Sequence, residues 1–228
     1  MKKSTIIATS FATLVLASIL VLYTDAKNHL NYKDPNIDMK TFPLTGFSVI
    51  VAGKGADVHV DYAKKNAIEV EYLKNKMVKK PLYKLRNDTL FVYGGLRTFV
   101  KISNLKSIRA HKTYWLGVGT FNLDSLRIDI AGGEIQFYGQ DKFRSNIKNL
   151  TINASDSAKI IDSGTKIDKL TLQAGSDSDC RFWGECKHIE AKISDETVIQ
   201  FYKSPISVKY EGDYTSKIKI RDGYPTVQ

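Results

Sequence analysis

An eight-residue phrase returns through the second half of the chain: LRIDIAGG at 126–133, LTINASDS at 150–157, LTLQAGSD at 170–177 and IEAKISDE at 189–196. The copies begin 24, 20 and 19 residues apart. In each, the first, third and fifth positions are apolar or small, and Gly, Ser and Asp then break the pattern. Alternation of period two puts Leu170, Leu172 and Ala174 on one face of a strand. A shorter apolar run follows every break, at 135–137, 158–160, 180–182 and 198–201. One repeat therefore reads strand, turn, strand, longer loop. Such a unit cannot bury its apolar face alone, whereas stacked units with equivalent residues in register bury a continuous strip. A period near 20 suits one coil of a β-solenoid. An antiparallel sandwich also turns at short intervals, but gives no reason for the same Gly/Ser/Asp break after every other strand.

The pattern extends in both directions. Ile108 and Ala110 stand where Ile128 and Ile130 stand one period later, and a degenerate copy starts at Ile206. Upstream, 47–51, 57–61 and 67–72 alternate as strands. Gly53 and Gly55 predict a hairpin turn between the first two, and Asn87 and Asp88 predict another between 82–86 and 89–93. No segment beyond residue 40 keeps a helical period. The expected fold is all-β, a single domain over 41–228 built as a β-helix or β-solenoid-like stack of roughly 20-residue coils.

The N-terminus carries a targeting pattern. Lys2 and Lys3 precede an uncharged run from Thr5 to Tyr23 without Pro or Gly. As a helix it would span roughly 28 Å, close to the hydrocarbon thickness of a bilayer. The expected organisation is a cytoplasmic stub at 1–4, a transmembrane anchor or uncleaved signal at 5–23, a polar linker at 24–40 and the domain at 41–228. A cleaved secretory signal is the alternative: its apolar stretch is usually shorter, but Ala26, with Thr24 two positions before it, offers a cleavage site. No Cys follows the run, which excludes a bacterial lipoprotein anchor. The positive flank stays in the cytoplasm. The expected location is therefore the inner membrane with the C-terminal domain in the periplasm, or secretion to the periplasm or beyond after cleavage.

Net charge is +10, from 34 Lys and Arg against 24 acids, which favours anionic surroundings. Lys64, Lys65, Lys74, Lys76, Lys79 and Lys80 are candidates for contact with an anionic surface, or guard a strand edge. Cys180 and Cys186, the only cysteines, form a candidate disulfide or two core thiols. With His188 they make too few ligands for a zinc site. Asp156, Asp177, Asp195 and Asp213 would form a ladder after successive first strands. Calcium or paired carboxylates on a sugar could use such a ladder, but Asp is also what tight turns select, and the turn reading prevails. Aromatic pairs recur near the ends of second strands. Adjacent strand residues point opposite ways, so one member of each should be core and the other exposed. Trp115, Tyr138, Trp183 and Tyr202 are the candidate binding surface. No phosphate loop, zinc spacing or nucleophile elbow occurs. No catalytic residue, metal ligand or cofactor site is assigned, and export on a fold with no basic reading module argues against nucleic acid.

The phrases at 150–157 and 170–179, the strands at 47–51 and 56–60, and NDTLFV at 87–92 together resemble the head GIN domain family, also called DUF2807 or putative auto-transporter adhesin. The resemblance covers roughly residues 41–220. The chain departs from the family pattern in having fewer glycines at its turns. The resemblance implies a right-handed β-helix-like domain outside bacterial cells, mostly of the Bacteroidetes group, and supplies no catalytic residues. Together these readings point to a non-enzymatic, membrane-tethered, extracytoplasmic β-solenoid: an adhesion-like protein, envelope scaffold or binding module. Its expected partners are the cell membrane, through the N-terminal helix, and an envelope polysaccharide or protein. A polysaccharide-active β-helix enzyme is the alternative, and would require clustered acids and bases in one groove.

Overall fold

The computed structural model describes residues 15–19, 37–74, 82–95, 97–139 and 144–221. The chain divides into two compact units. The smaller comprises Met1–Asp38 with Leu73–Asn75, the larger Met39–Tyr72 with Lys76–Gln228. Of the run expected to span a membrane, 15–19 form a short exposed helix and the remainder lies outside the described residues. No helix among the described residues is long and apolar enough to cross a membrane.

The larger unit is a β-solenoid of about six turns. The strands are β1 (Ile37–Pro43), β2 (Val49–Ala52), β3 (Asp57–Tyr62), β4 (Ala67–Leu73), β5 (Tyr83–Arg86), β6 (Thr89–Val92), β7 (Thr98–Ile102), β8 (Ser107–Val118), β9 (Asn122–Phe137), β10 (Asn146–Ser155), β11 (Lys159–Asp162), β12 (Lys166–Ala174), β13 (Asp179–Phe182), β14 (Glu185–Ile193), β15 (Val198–Phe201), β16 (Ser207–Gly212) and β17 (Lys217–Ile220). A front sheet runs in parallel through β6, β2, the start of β8, the start of β9, β10, β12, β14 and β16. A back sheet runs in parallel through β7, β3, the ends of β8 and β9, β11, β13, β15 and β17. Two antiparallel strands join them, β5 against β6 and β4 against β7.

The repeated phrase sets the register. Leu126, Leu150, Leu170 and Ile189 are direct neighbours on successive coils. Ile50, Ile108, Ile128, Ile152, Leu172 and Ala191 form a second buried column in the front sheet. Val58, Leu116, Ile135, Ile160, Cys180 and Ile199 form its counterpart in the back sheet. The β5–β6 hairpin forms at Asn87, whose φ is 53°. The hairpin expected at Gly53 and Gly55 does not form: β2 belongs to the front sheet and β3 to the back sheet, so the turn between them is a corner of the coil. The last copy is also displaced. Val208, not Ile206, aligns with Ile189.

Corners are built from two successive left-handed residues. Gly132 and Gly133, Asp156 and Ser157, Ser176 and Asp177, and Asp195 and Glu196 all have positive φ. The corners stack through backbone bonds, with Ser157 N–H donating to the Ser176 carbonyl at 2.7 Å and Asp177 N–H to the Asp195 carbonyl at 2.8 Å. The aspartates do not form the expected ladder, because the register places Asp156 and Asp195 at the first corner position and Asp177 at the second. Asp213 precedes its corner and accepts from Thr215, Ser216 and the Asp195 N–H. Bonding to Thr215 foremost holds its carboxyl well below the usual carboxylate range. A side chain in the left-handed region costs about 1 kcal/mol, which glycine avoids. Glu196→Gly should therefore raise stability by about 0.5–1 kcal/mol in urea titration. Gly133→Ala should lower it by more, because a Cβ there would collide with the Thr113 carbonyl.

One core column holds a carboxyl group. Phe137, Asp162, Phe182 and Phe201 are successive neighbours in the back sheet, all buried. Asp162 accepts from Thr165 N–H at 2.8 Å, Gly184 N–H at 2.8 Å and Gly164 N–H at 3.3 Å, tying the loop after β11 to the loop after β13. Gly184 can approach only because it lacks a Cβ, which would collide with the Thr165 carbonyl. Burial pushes the Asp162 carboxyl up, and hydrogen bonds from the Thr165 side chain and from the Thr165, Gly184 and Gly164 N–H groups work against that shift. Asp162→Ala would orphan buried N–H groups and should cost about 3 kcal/mol, read as a lowered urea midpoint with unchanged slope.

Candidate functional site

In-register stacking turns each outward position of the repeat into a row. The fourth position contributes Asp129, Asn153, Gln173 and Lys192, with Arg109 in line on β8. The sixth contributes Ala131, Ser155, Gly175 and Ser194, with His111 in line. A tall polar row thus stands beside a row of small residues, and the backbone between them floors a furrow of about 610 Å³. It crosses six strands, β2, β8, β9, β10, β12 and β14, which at about 4.8 Å per strand makes it roughly 24 Å long. Its floor amides are committed to the sheets, so side chains must do the recognition.

The furrow is electrostatically uneven. Asp129 is engaged by Arg127, at 3.0 Å from Nε and 2.9 Å from Nη2, and by Asn153 Nδ2 at 2.5 Å. Burial raises its carboxyl, but Arg127, Asn153 and Arg109 outweigh that and hold it below its ordinary value. Lys192 reaches Glu211 at 3.2 Å. Arg109 forms no ion pair within 4 Å among the described residues, and its charge acts on Asp129 from the neighbouring coil. The sequence contained this feature: the sixth position of every copy is Ala, Ser or Gly, and the fourth is Asp, Asn, Gln or Lys. Small residues after a strand read as turn chemistry, so the row was missed.

The expected aromatic surface lies on the outside of the back sheet and falls into two groups. Trp183 and Tyr202 stack with centroids 4.5 Å apart and planes 7° apart. Trp115 and Tyr138 meet at 6.1 Å over Gly117, with His59 packed 4.5 Å from Trp115 and 4.7 Å from Phe99. Tyr138 Oη donates to Asp61 at 3.1 Å, and Trp115 Nε1 to Gln136 at 3.3 Å. Burial lowers the His59 imidazole, opposed by Asp57, and burial with Asp61 raises the Tyr138 phenol. Their inward companions Phe137, Phe182 and Phe201 are core, as alternation predicts. Tyr114 and Trp115 break the rule: a register irregularity between Thr113 and Leu116 leaves Tyr114 exposed and Trp115 half-buried. Within each pair the rings stack on one another, and all four residues are partly exposed.

Lys64 and Lys65 are exposed in the turn between β3 and β4. Lys74 belongs to the smaller unit, and Lys76, Lys79 and Lys80 lie outside the described residues. Cys180 and Cys186 are free and buried, each in line with core isoleucines: Cys180 beside Ile160 and Ile199, Cys186 beside Ile167. Burial pushes the Cys180 thiol up to about 12 and the Cys186 thiol up as well.

These features define a parallel β-solenoid with a furrowed front and an aromatic-clad back. Solved structures share the fold at low identity. A putative adhesin from Parabacteroides merdae is 14% identical, with a TM-score of 0.56 over 83% of this chain and 98% of that one. A putative adhesin from Bacteroides fragilis is 13% identical, with a TM-score of 0.56 over 82% and 98%. A putative adhesin from Parabacteroides distasonis is 12% identical, with a TM-score of 0.60 over 82% and 94%. No family model and no curated protein matches the chain.

A Cβ at Gly117 would collide with the Trp115 ring and come within 2.6 Å of Tyr138 Cε1. Gly117→Ala should thus expel Trp115 from its half-buried site. Its fluorescence should shift to the red and iodide should quench it more strongly, with an unchanged far-ultraviolet spectrum.

Proposed function

We propose that the chain is a non-enzymatic, membrane-tethered binding module of the bacterial envelope, adhesin-like, with a right-handed solenoid that holds an extended polar polymer along its front furrow. The observation that carries this reading is the furrow itself, in which a polar row over five coils and a small-residue row over four repeat in step. A ligand with its own short repeat meets similar surroundings at each step, as an envelope polysaccharide would. Arg109, which forms no ion pair among the described residues, favours an anionic chain. The carboxylate on the furrow wall, Asp129, is occupied by Arg127 and Asn153, which suits binding better than acid–base chemistry. The shared fold of proteins named as adhesins points the same way. Tethering would come from the apolar run at 5–23, with the solenoid in the periplasm.

The experiment is a binding and turnover panel of acidic and neutral polysaccharides. An acidic polysaccharide should bind without release of reducing ends. Arg109→Glu should weaken that binding at least fivefold, and Gly175→Trp, which fills the furrow, should abolish it. Release of reducing ends would turn the reading to a polysaccharide-active enzyme.

A further inference from the structure

The two ends of the solenoid are finished differently. At the β6–β7 end, antiparallel β5 and β4 pair with the parallel coils and take up their edges. At the other end, β16 pairs only with β14 and β17 only with β15 among the described residues. No described residue covers the core columns there. Val208 and Tyr210, which continue the rows of Ile189 and Ala191, are 38% and 45% exposed, and Ile220 is 45% exposed. An exposed strand edge bordered by apolar side chains is a template for another strand.

The chemistry of β17 selects that strand. Lys217, Lys219 and Arg221 alternate with Ile218 and Ile220, so the cations share the outer face and the isoleucines the inner one. None of the three cations forms an ion pair among the described residues, nor do Lys203 and Lys209 on the same coil. A bilayer surface would attract these charges but would leave the backbone edge unbonded. A second copy would satisfy the backbone, but antiparallel self-pairing centred on Lys219 sets Lys219 against itself and Lys217 against Arg221, and like charges directly opposite are destabilising. We propose that the β17 edge is a docking site for an extended acidic segment of a partner protein. The segment adds as a further strand, with carboxylates facing Lys217, Lys219 and Arg221 and apolar residues covering Ile218 and Ile220. This site is separate from the furrow and stands whether or not the furrow binds a polymer.

The test uses the full chain with two decapeptides, one alternating Val and Glu, the other Val and Lys. Hydrogen exchange should show new protection confined to the β17 amides with the Val–Glu peptide and none with the Val–Lys peptide. The double variant Lys217→Glu/Lys219→Glu, on exposed positions, should lose at least tenfold affinity for the first peptide and gain binding of the second. The proposal is overturned if the two peptides bind the unaltered chain alike, or if neither binds. It is equally overturned if protection appears elsewhere, if the β17 amides are already protected in the dilute free chain, or if the double variant does not exchange its preference.

Discussion

Parallel stacking in register, with coils about 4.8 Å apart, is the constraint from which the rest of this structure descends. It makes every residue the neighbour of its own equivalents. A position that is apolar in each copy becomes a continuous buried column, as from Leu126 to Ile189. A position that is small in each copy becomes one bank of a furrow. A left-handed corner in one coil is met by a left-handed corner in the next through the four middle coils, so strain recurs at Ser157, Asp177 and Glu196. The register also decides what can be substituted. Cys180 stands among isoleucines as a small apolar group, with burial pushing its thiol up to about 12, so little thiolate is present at neutral pH. Asp162 stands among phenylalanines only because three backbone donors converge on it and Gly184 lacks the Cβ that would keep one of them away.

Much of this was legible in the sequence, because the repeat is written in alternation and alternation has one structural meaning. The pairings of Leu126, Leu150, Leu170 and Ile189 follow from aligning the phrases. What misled was local chemistry with two meanings. Gly53 and Gly55 suit a hairpin or a coil corner, and only the partners of β2 and β3, far along the chain, decide between them. In the last copy, Ile206, Val208 and Tyr210 alternate as well as any strand, so a displacement of two residues leaves the pattern intact and moves the register. The furrow was hidden for a related reason: the small residues that form it also end the strand, so each copy alone reads as a turn. Asp162 carried no signal at all, since its partners are backbone groups supplied by two different loops.

Stacked coils also create an electrostatic problem, for a repeated charged residue would face its own sign at every step. The chain solves it by alternating signs along a column. Asp124, Lys148, Asp168 and Lys187 occupy one outward row on successive coils, with Lys148 2.6 Å from Asp124 and Lys187 2.7 Å from Asp168. Lys159 meets Glu134 at 2.9 Å in the same manner, and Lys169 reaches Glu190 diagonally on the next coil at 3.1 Å. Such exposed pairs contribute little to stability, yet they neutralise the middle coils. The unpaired cations of the terminal coil fall outside this scheme. Stacking satisfies a charge where a neighbouring coil presents the opposite sign in register, and among the described residues no acid pairs with Lys217, Lys219 or Arg221. The last described row therefore carries one sign. The same physics that pairs the inner rows makes that row selective for an opposite charge presented on a strand.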